Sequence, residues 1–109
     1  MQMTDAAKLL KLLGDPTRLT MLKLLSSHEY CVCEFVEIFD ISQPAISQHL
    51  RKLKDVDIVR EERRGQWIFY SLHTAHKDYP LIHRILQHLD LQDEFIRQLE
   101  AKALRICCD

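Results

Sequence analysis

The sequence of 109 residues contains little glycine or proline, and it has no long apolar run. Two glycines and three prolines exclude collagen-like and low-complexity chains, and the 47% of hydrophobic residues is typical of a globular protein. No apolar stretch reaches the roughly 20 residues that a transmembrane helix needs. The first residues also lack the basic start and apolar stretch of a signal peptide. We therefore predict a cytoplasmic protein with no membrane partner.

The sequence also lacks the motifs of common enzymes. It has neither a glycine-rich phosphate loop nor the signature of a Ser/His/Asp triad. A Cys-x-Cys pair could belong to a thiol oxidoreductase, but no βαβ pattern accompanies it. We therefore predict a protein that is not an enzyme and that has no organic cofactor.

The charge balance is uneven along the chain. The net charge is only −1, but the position of the charges matters more for contact with phosphate. Residues 42–66 carry six Lys or Arg against four Asp or Glu, whereas residues 28–41 carry four acidic residues and no Lys or Arg. A solvated surface of mixed charge is the alternative interpretation. The first of these segments is nevertheless the one in which the pattern of elements favours a DNA-binding face.

Apolar spacing predicts four helices in the first half of the chain. The first covers about residues 5–13, and the second begins at Pro16, where Asp15 can cap it. The third covers about residues 31–39. Ser42 caps the fourth, whose inward stripe consists of Ile46, Leu50 and Leu53. Two short helices joined by a tight turn are typical of a helix-turn-helix motif.

The second half of the chain begins with β-forming residues. Residues 58–62 and 66–72 are rich in β-branched and aromatic side chains and predict a hairpin tipped by Arg63-Arg64-Gly65. Helical spacing then returns over about residues 77–106, where Asp90 could divide the helix. We predict one domain, residues 1–109, that is mainly α with a small β-hairpin and has a winged helix-turn-helix fold. A domain this short gains from an oligomer interface, which favours a homodimer.

The segment from Ser42 to Leu53 has the polarity of a recognition helix. The N-terminal residues of such a helix meet base edges in the major groove, where Gln, Ser and Arg side chains can bond to bases. Five of its residues are candidates for contact with double-stranded DNA: Gln43, Ser47, Gln48, His49 and Arg51. Arg60 and Arg64 of the hairpin are assigned to the DNA backbone. An amphipathic helix that only faces water is the alternative for this helix taken alone.

In this order the motifs resemble the ArsR/SmtB family of metal-responsive repressors. The resemblance covers nearly the whole chain: residues 13–19, Cys31-Val32-Cys33, residues 42–53, and a wing with Gly65 and Tyr70. It implies a winged-helix homodimer whose first and last helices, about residues 5–13 and 77–106, form the interface. The operator would have two-fold symmetry with half-sites roughly 34 Å apart.

Four cysteines are the candidate inducer ligands: Cys31, Cys33, Cys107 and Cys108. In a reducing compartment they are expected to serve metal or redox chemistry rather than to form structural disulfides. Cys31-Val32-Cys33 resembles the inducer motif of the arsenite-sensing branch, and a helix N-terminus favours the thiolates that bind soft arsenic or antimony.

The third sulfur ligand is an open question in this sequence. Some arsenite repressors have a further cysteine one turn beyond the pair, where this chain has Val36 or Glu37. A third thiol would have to come from Cys107 or Cys108, in the same or the partner subunit. Idle thiols in a flexible tail are the alternative.

The resemblance implies a repressor that arsenite or antimonite releases from its operator. Because residues i and i+2 of a helix do not face each other, we predict that binding to Cys31 and Cys33 distorts the first turn of their helix. Since that helix belongs to the DNA-binding motif, the distortion would weaken operator binding. The same cysteines leave open a cadmium or lead sensor, and also a thiol redox or persulfide switch.

A second family site, used by zinc and cobalt sensors, would lie on the last helix. The Asp and His residues in this part of the chain do not have the required spacing: His76, Asp78, His83, His88 and Asp90. We interpret the histidines as polar-face or interface residues. A zinc site at His83 and His88 is the alternative.

Overall fold

A computed structural model of the chain describes residues 1–89, 97, 98 and 101. These residues form five helices and a three-stranded antiparallel sheet with strand order β1-β3-β2. In chain order the elements are α1 Met3–Leu13, α2 Pro16–Leu25, β1 Tyr30–Cys31, α3 Val32–Phe39, α4 Gln43–Asp55, β2 Val59–Arg64, β3 Trp67–Leu72 and α5 Tyr79–His88. The predicted fold class, mainly α with a β-hairpin after a helix-turn-helix, is confirmed.

Local capping residues set the helix starts. The Asp15 carboxylate accepts hydrogen bonds from the backbone N–H groups of Thr17 at 2.8 Å and Arg18 at 3.1 Å. Two of the donors left over at the start of α2 are thereby satisfied, and Pro16 needs no donor partner. The Ser42 hydroxyl caps α4 in the same way, by accepting from the Ala45 N–H at 3.3 Å. Both caps lie where the sequence predicts them.

The hairpin β2–β3 forms the wing. Its strands pair from Val59 opposite Leu72 to Arg64 opposite Trp67, which leaves a two-residue loop. Gly65 opens this loop with a φ of 63°, in the left-handed region that glycine adopts at little cost. The predicted tip Arg63-Arg64-Gly65 is therefore wrong in part, because Arg63 and Arg64 pair with Ile68 and Trp67 within the hairpin and only Gly65 belongs to the loop.

Strand β1 is an element that the sequence pattern does not predict. Tyr30 pairs with Tyr70, and Cys31 pairs with Phe69 of β3. The third helix, predicted over about residues 31–39, begins at Val32, because Cys31 has an extended backbone with φ −91° and ψ 161° and caps α3 instead. A strand of two residues gives no alternating pattern, and its conformation depends on pairing with a distant strand.

The core lies between helices α2–α4 and the sheet. Its fully buried members include residues from each of these elements: Met21, Leu22, Tyr30, Phe35, Ile46, Leu50, Leu53 and Val59. The inward stripe predicted for α4 is therefore buried. This packing fixes α4 and the base of the wing relative to each other.

Helix α5 packs on the core through Ile82 and Leu86, and the Lys23 ammonium donates to the Leu86 carbonyl at 3.0 Å. The predicted break at Asp90, and the predicted helix beyond it except for residues 97, 98 and 101, lie outside the described residues. So do Cys107 and Cys108. Within the described part of the chain, no helix combines the length and apolar character needed to cross a membrane.

Candidate DNA interface and cysteine site

The polar face of α4 points away from the core. Gln43, Gln48 and Arg51 are exposed, and Ser47 is partly buried. The Gln43 amide donates to the Ser47 hydroxyl at 3.0 Å, which places the first two turns of this face side by side. Amide, hydroxyl and guanidinium groups on one helix face are suited to the major groove. Contact of these residues with DNA stays a prediction.

His49 lies on a different side of α4. Its Nδ1 accepts a hydrogen bond from Arg18 Nη1 at 3.3 Å, and Arg18 Nε donates to the Leu12 carbonyl at 2.7 Å. Arg18 is only 9% exposed, so a buried cation joins the end of α1 to the recognition helix. The structure thus gives His49 an intramolecular partner, and it assigns Arg18 a positioning role that the sequence analysis did not foresee.

The wing arginines also have partners within the protein. Arg64 donates to both carboxylate oxygens of Glu29 and to Glu62 at 2.8 Å, and its guanidinium lies 4.6 Å from the centre of the Phe69 ring. Arg60 Nη2 donates to His73 Nε2 at 2.8 Å. Contact of these two arginines with DNA phosphates stays a prediction, and it would require them to exchange these protein partners for phosphates.

A polar cluster links α4 to the wing. The Lys54 ammonium and the Tyr70 hydroxyl both donate to the Glu61 carboxylate, Tyr70 at 2.7 Å. These hydrogen bonds hold the pKa of Glu61 below its usual value. Burial together with the bond to Glu61 raises the pKa of Tyr70. At neutral pH the cluster therefore contains a charged carboxylate and a neutral phenol.

The cysteine pair lies at the junction of β1 and α3. The structure joins Cys31 and Cys33 in a disulfide, with their Cα atoms 5.5 Å apart. This differs from the expectation of two separate thiols. The cause is the extended backbone of Cys31, which turns its side chain toward the first turn of α3. Glu34 completes the cap by accepting from the Cys31 N–H at 2.8 Å.

This geometry corrects the premise on which the expected distortion of the third helix was based. The expectation assumed that both cysteines lie within regular helix, where positions i and i+2 diverge. Because Cys31 precedes the helix, the two sulfurs converge while α3 keeps its first turn. Distortion of that turn by a bound ion stays a prediction.

A cleft adjoins the cysteine pair, with a volume of about 390 Å³. It lies between the start of α3, the start of α4 and the tip of the wing. Its walls include Cys31, Cys33, Val36, Gln43, Trp67 and Ile68. The predicted inducer site and both predicted DNA-contacting elements thus share one surface, which the sequence pattern did not reveal.

The histidines near the last helix have partners among the described residues. Among them, no group of three or more His, Cys, Asp or Glu side chains is placed to hold a metal ion. Tyr79 stacks on His83 at a ring distance of 5.5 Å, and His76 bonds to the Val56 carbonyl at 2.9 Å. These contacts fit the interpretation of the histidines as polar-face residues.

A capped helix-turn-helix followed by a two-stranded wing defines a winged-helix DNA-binding protein. Residues 15–61 match the family model of the bacterial regulatory proteins of the arsR family. The arsenical resistance operon repressor of Staphylococcus xylosus is 37% identical over 91 residues, which are 84% of this chain and 83% of that repressor. The chain therefore belongs to the ArsR family. It is a transcriptional repressor and not an enzyme, as predicted.

Two further relatives show the breadth of the family. A cadmium resistance regulatory protein CadC homolog of Staphylococcus aureus is 38% identical over 73 residues, covering 66% of this chain and 60% of that protein. The crystal structure of the transcriptional repressor BigR of Xylella fastidiosa matches with a TM-score of 0.71 and 33% identity, covering 83% and 88% of the two chains. Membership of the family therefore defines a repressor without defining its inducer.

Proposed function

We propose that this repressor binds operator DNA as a homodimer and is released when arsenite or antimonite binds Cys31 and Cys33. The observation that carries the proposal is the convergence of the two sulfurs beside both DNA-contacting elements. The similarity to the arsenical resistance repressor of Staphylococcus xylosus supports the choice of ligand.

The chemistry of the pair suits a soft trivalent ion. Thiolate sulfur is the ligand type that such ions prefer, and the N-terminus of α3 favours the thiolate over the thiol. Binding of arsenite replaces two As–OH bonds with two As–S bonds and releases two molecules of water, without a change in oxidation state. For arsenite and antimonite, the proposal includes a third sulfur ligand from Cys107 or Cys108.

The cysteine segment has two physical connections to DNA binding. Helix α3 packs against α4, and β1 pairs with β3 of the wing. A ligand that moves Cys31 would therefore disturb the pairing of β1 with β3 of the wing. A ligand that moves Cys33 would disturb the packing of α3 against α4. Linkage between sites of this kind typically changes affinity about 5- to 150-fold.

The homodimer is proposed from the exposed apolar side chains of the terminal helices. On α1, Met3 is 85% exposed and Leu10 is 57% exposed, and Leu81 of α5 is 42% exposed. A second copy would cover such residues. We propose one domain, residues 1–109, whose dimer interface consists of the helices near residues 5–13 and 77–106, acting in the cytoplasm where its operator lies.

The direct test is operator binding by fluorescence anisotropy at fixed salt, with the full chain reduced and kept anaerobic. Fixed salt matters because phosphate contacts make the affinity strongly salt-dependent. Titration with arsenite, antimonite, cadmium and zinc should show release by the first two at the lowest concentrations. If cadmium acts at lower concentrations than arsenite, the protein is a cadmium sensor and the assignment of arsenite is wrong.

A redox switch is the second candidate, and the Cys31–Cys33 disulfide favours it. A hydroperoxide would oxidise the two thiols to the disulfide; its O–O bond breaks, and with the two thiol protons it gives one alcohol and one water. In that case the oxidised protein should lose operator affinity with no arsenite present. Equal affinity of the reduced and oxidised forms would exclude this candidate.

A further inference from the structure

The two arginines of the wing differ in the kind of group that holds them. Arg64 donates to the carboxylates of Glu29 and Glu62, whereas Arg60 Nη2 donates to the imidazole nitrogen Nε2 of His73 at 2.8 Å. Imidazole is the side-chain group whose ordinary change of charge falls between about pH 5 and pH 8. The hydrogen bond that holds Arg60 is therefore one that mild acid can remove.

The contacts of His73 select one neutral form of its ring. A guanidinium can only donate, so Nε2 of His73 is the acceptor and carries no proton. The other ring nitrogen, Nδ1, lies 2.9 Å from the backbone carbonyl oxygen of Asp57 and 3.1 Å from a carboxylate oxygen of the same residue. Both of these oxygens are acceptors, so the ring proton is on Nδ1. The side chain of His73 is only 12% exposed, and both of its nitrogens are in use.

Charged and titratable side chains reach the His73 ring from three segments of the described chain. Arg60 comes from β2, and Asp57 comes from the turn between α4 and β2. His76, in the segment before α5, meets the ring edge-on with 5.9 Å between ring centres. Its own Nδ1 accepts from the Asp78 N–H at 2.9 Å, so His76 is neutral in this arrangement. The His73 ring therefore has a cation at one nitrogen and an anion at the other.

A second proton on His73 reverses its contact with Arg60. Nε2 then carries a hydrogen and faces another donor, with two positive groups 2.8 Å apart. The contact of Nδ1 with Asp57 is kept and becomes an ion pair. Because Arg60 is exposed, its side chain can turn into solvent without leaving a buried charge. Protonation therefore displaces Arg60 while the ring keeps its place.

We propose that His73 is a positioning residue for DNA binding: when neutral it holds Arg60 on the protein, and when protonated it releases Arg60 to a phosphate of the operator. This rests on the proposed function, in which the repressor binds operator DNA and Arg60 contacts its backbone. A phosphate that takes Arg60 also removes a like charge from beside the protonated ring. DNA binding and protonation of His73 therefore favour each other, and operator affinity rises as the pH falls from about 8 to about 5.5.

The test measures operator anisotropy with the reduced full chain and no arsenite, at about pH 8 and about pH 5.5. In His73→Gln the amide can still accept from Arg60 but takes up no proton. Other histidines also gain charge in acid, so the signal is the difference between the two proteins. We expect the acid gain in affinity to be about fivefold larger for the wild type. His28→Gln makes the same change at an exposed position before β1 and should keep the full wild-type gain.

The salt dependence of binding separates a released arginine from a purely structural role of His73. Each phosphate contact by a cation adds about 0.9 to the slope of log affinity against log salt. In acid the slope should steepen by about 0.9 per subunit more for the wild type than for His73→Gln. Arg60→Gln should show the small acid gain of His73→Gln and none of this additional steepening. If circular dichroism shows that His73→Gln is unfolded, Arg60→Gln makes the same comparison from an exposed position.

Three results would overturn the inference, and they differ in what else they overturn. If the wild type binds the operator at neither pH, the proposed function fails, and the inference fails with it. If His73→Gln and Arg60→Gln keep the full acid gain and the steeper slope of the wild type, only the inference fails. If the part of the affinity that depends on His73 falls in acid, neutral His73 holds Arg60 ready for phosphate, and release by protonation is wrong.

Discussion

The recognition helix and the wing prepare for DNA in different ways. On α4 the predicted base-reading side chains Gln43, Gln48 and Arg51 are exposed on a helix fixed from behind by buried leucines. On the wing, Arg60 and Arg64 are held by His73 and by acidic side chains. The predicted contacts of α4 would need no change of partner within the protein, whereas those of Arg60 and Arg64 would. The wing is also the part that pairs directly with the cysteine segment.

The largest expected effect is on stability, and it comes from the buried face of α4. Leu50 is fully buried, so Leu50→Ala should lower the free energy of unfolding by about 2–5 kcal/mol through lost burial and a cavity. Urea denaturation followed by circular dichroism measures it. Gln48→Ala, at an exposed position of the same helix, should change the free energy by less than about 0.5 kcal/mol. A similar loss in both variants would mean that α4 is not anchored by its inward face.

A smaller effect is expected on base reading. Gln48→Ala should weaken binding to the specific operator by about 1–3 kcal/mol, because a base contact is removed. Anisotropy at fixed salt measures the affinity, and a scrambled duplex of equal length serves as the control. The scrambled duplex should lose little affinity. An equal loss on both duplexes would assign Gln48 to the backbone instead of to a base.

The next prediction concerns the stability that the Asp15 cap gives to α2. Asp15→Ala should cost about 1 kcal/mol of stability at pH 7, because two N–H groups lose their acceptor. Despite partial burial, which opposes it, these bonds hold the pKa of Asp15 below its usual value. A lowered pKa in the folded state gives stability that is present above about pH 4 and is lost as the pH falls.

The difference in stability between wild type and Asp15→Ala should therefore shrink in acid. Urea denaturation at pH 7 and at about pH 3 measures this difference. Asp5→Ala, in the first turn of α1, is the matched control for loss of a helix-start carboxylate. A difference that stays constant between the two pH values would exclude the charged carboxylate of Asp15 as the stabilising group.

The smallest expected effect is on operator affinity, and it comes from the ion pair of Arg64 in the wing. Glu29→Gln should strengthen operator binding by up to about fivefold, since an exposed ion pair is worth at most about 1 kcal/mol and Arg64 no longer has to leave it. Glu37→Gln removes the same charge from an exposed position of α3 and controls for the change in net charge. Equal gains in both variants would show a long-range charge effect only.

Local chemistry explains what the sequence could predict. The starts of α2 and α4 follow from Asp15 with Pro16 and from Ser42, and the wing loop follows from Gly65. Each signal lies within a few residues of the structure that it specifies. The family resemblance and the fold class rest on these signals in their order.

Contacts between distant residues explain what the sequence could not predict. Strand β1 depends on pairing between Cys31 and Phe69, and the arrangement of the cysteines depends on that strand. The contact of Arg18 with His49 spans 31 positions, and that of Arg64 with Glu29 spans 35. In the sequence, a signal for Arg18 was present only as part of Asp-Pro-Thr-Arg, and no pattern indicated the cleft at Trp67.

The central claim is that the reduced pair reports a ligand to the DNA-binding face. The most direct measurement is operator affinity of the reduced chain with and without arsenite, for the wild type and for Cys33→Ser, at one salt concentration. The account predicts that arsenite weakens the wild type by at least about fivefold and Cys33→Ser by less than about twofold. Equal weakening of both proteins, or no weakening of the wild type, would contradict it.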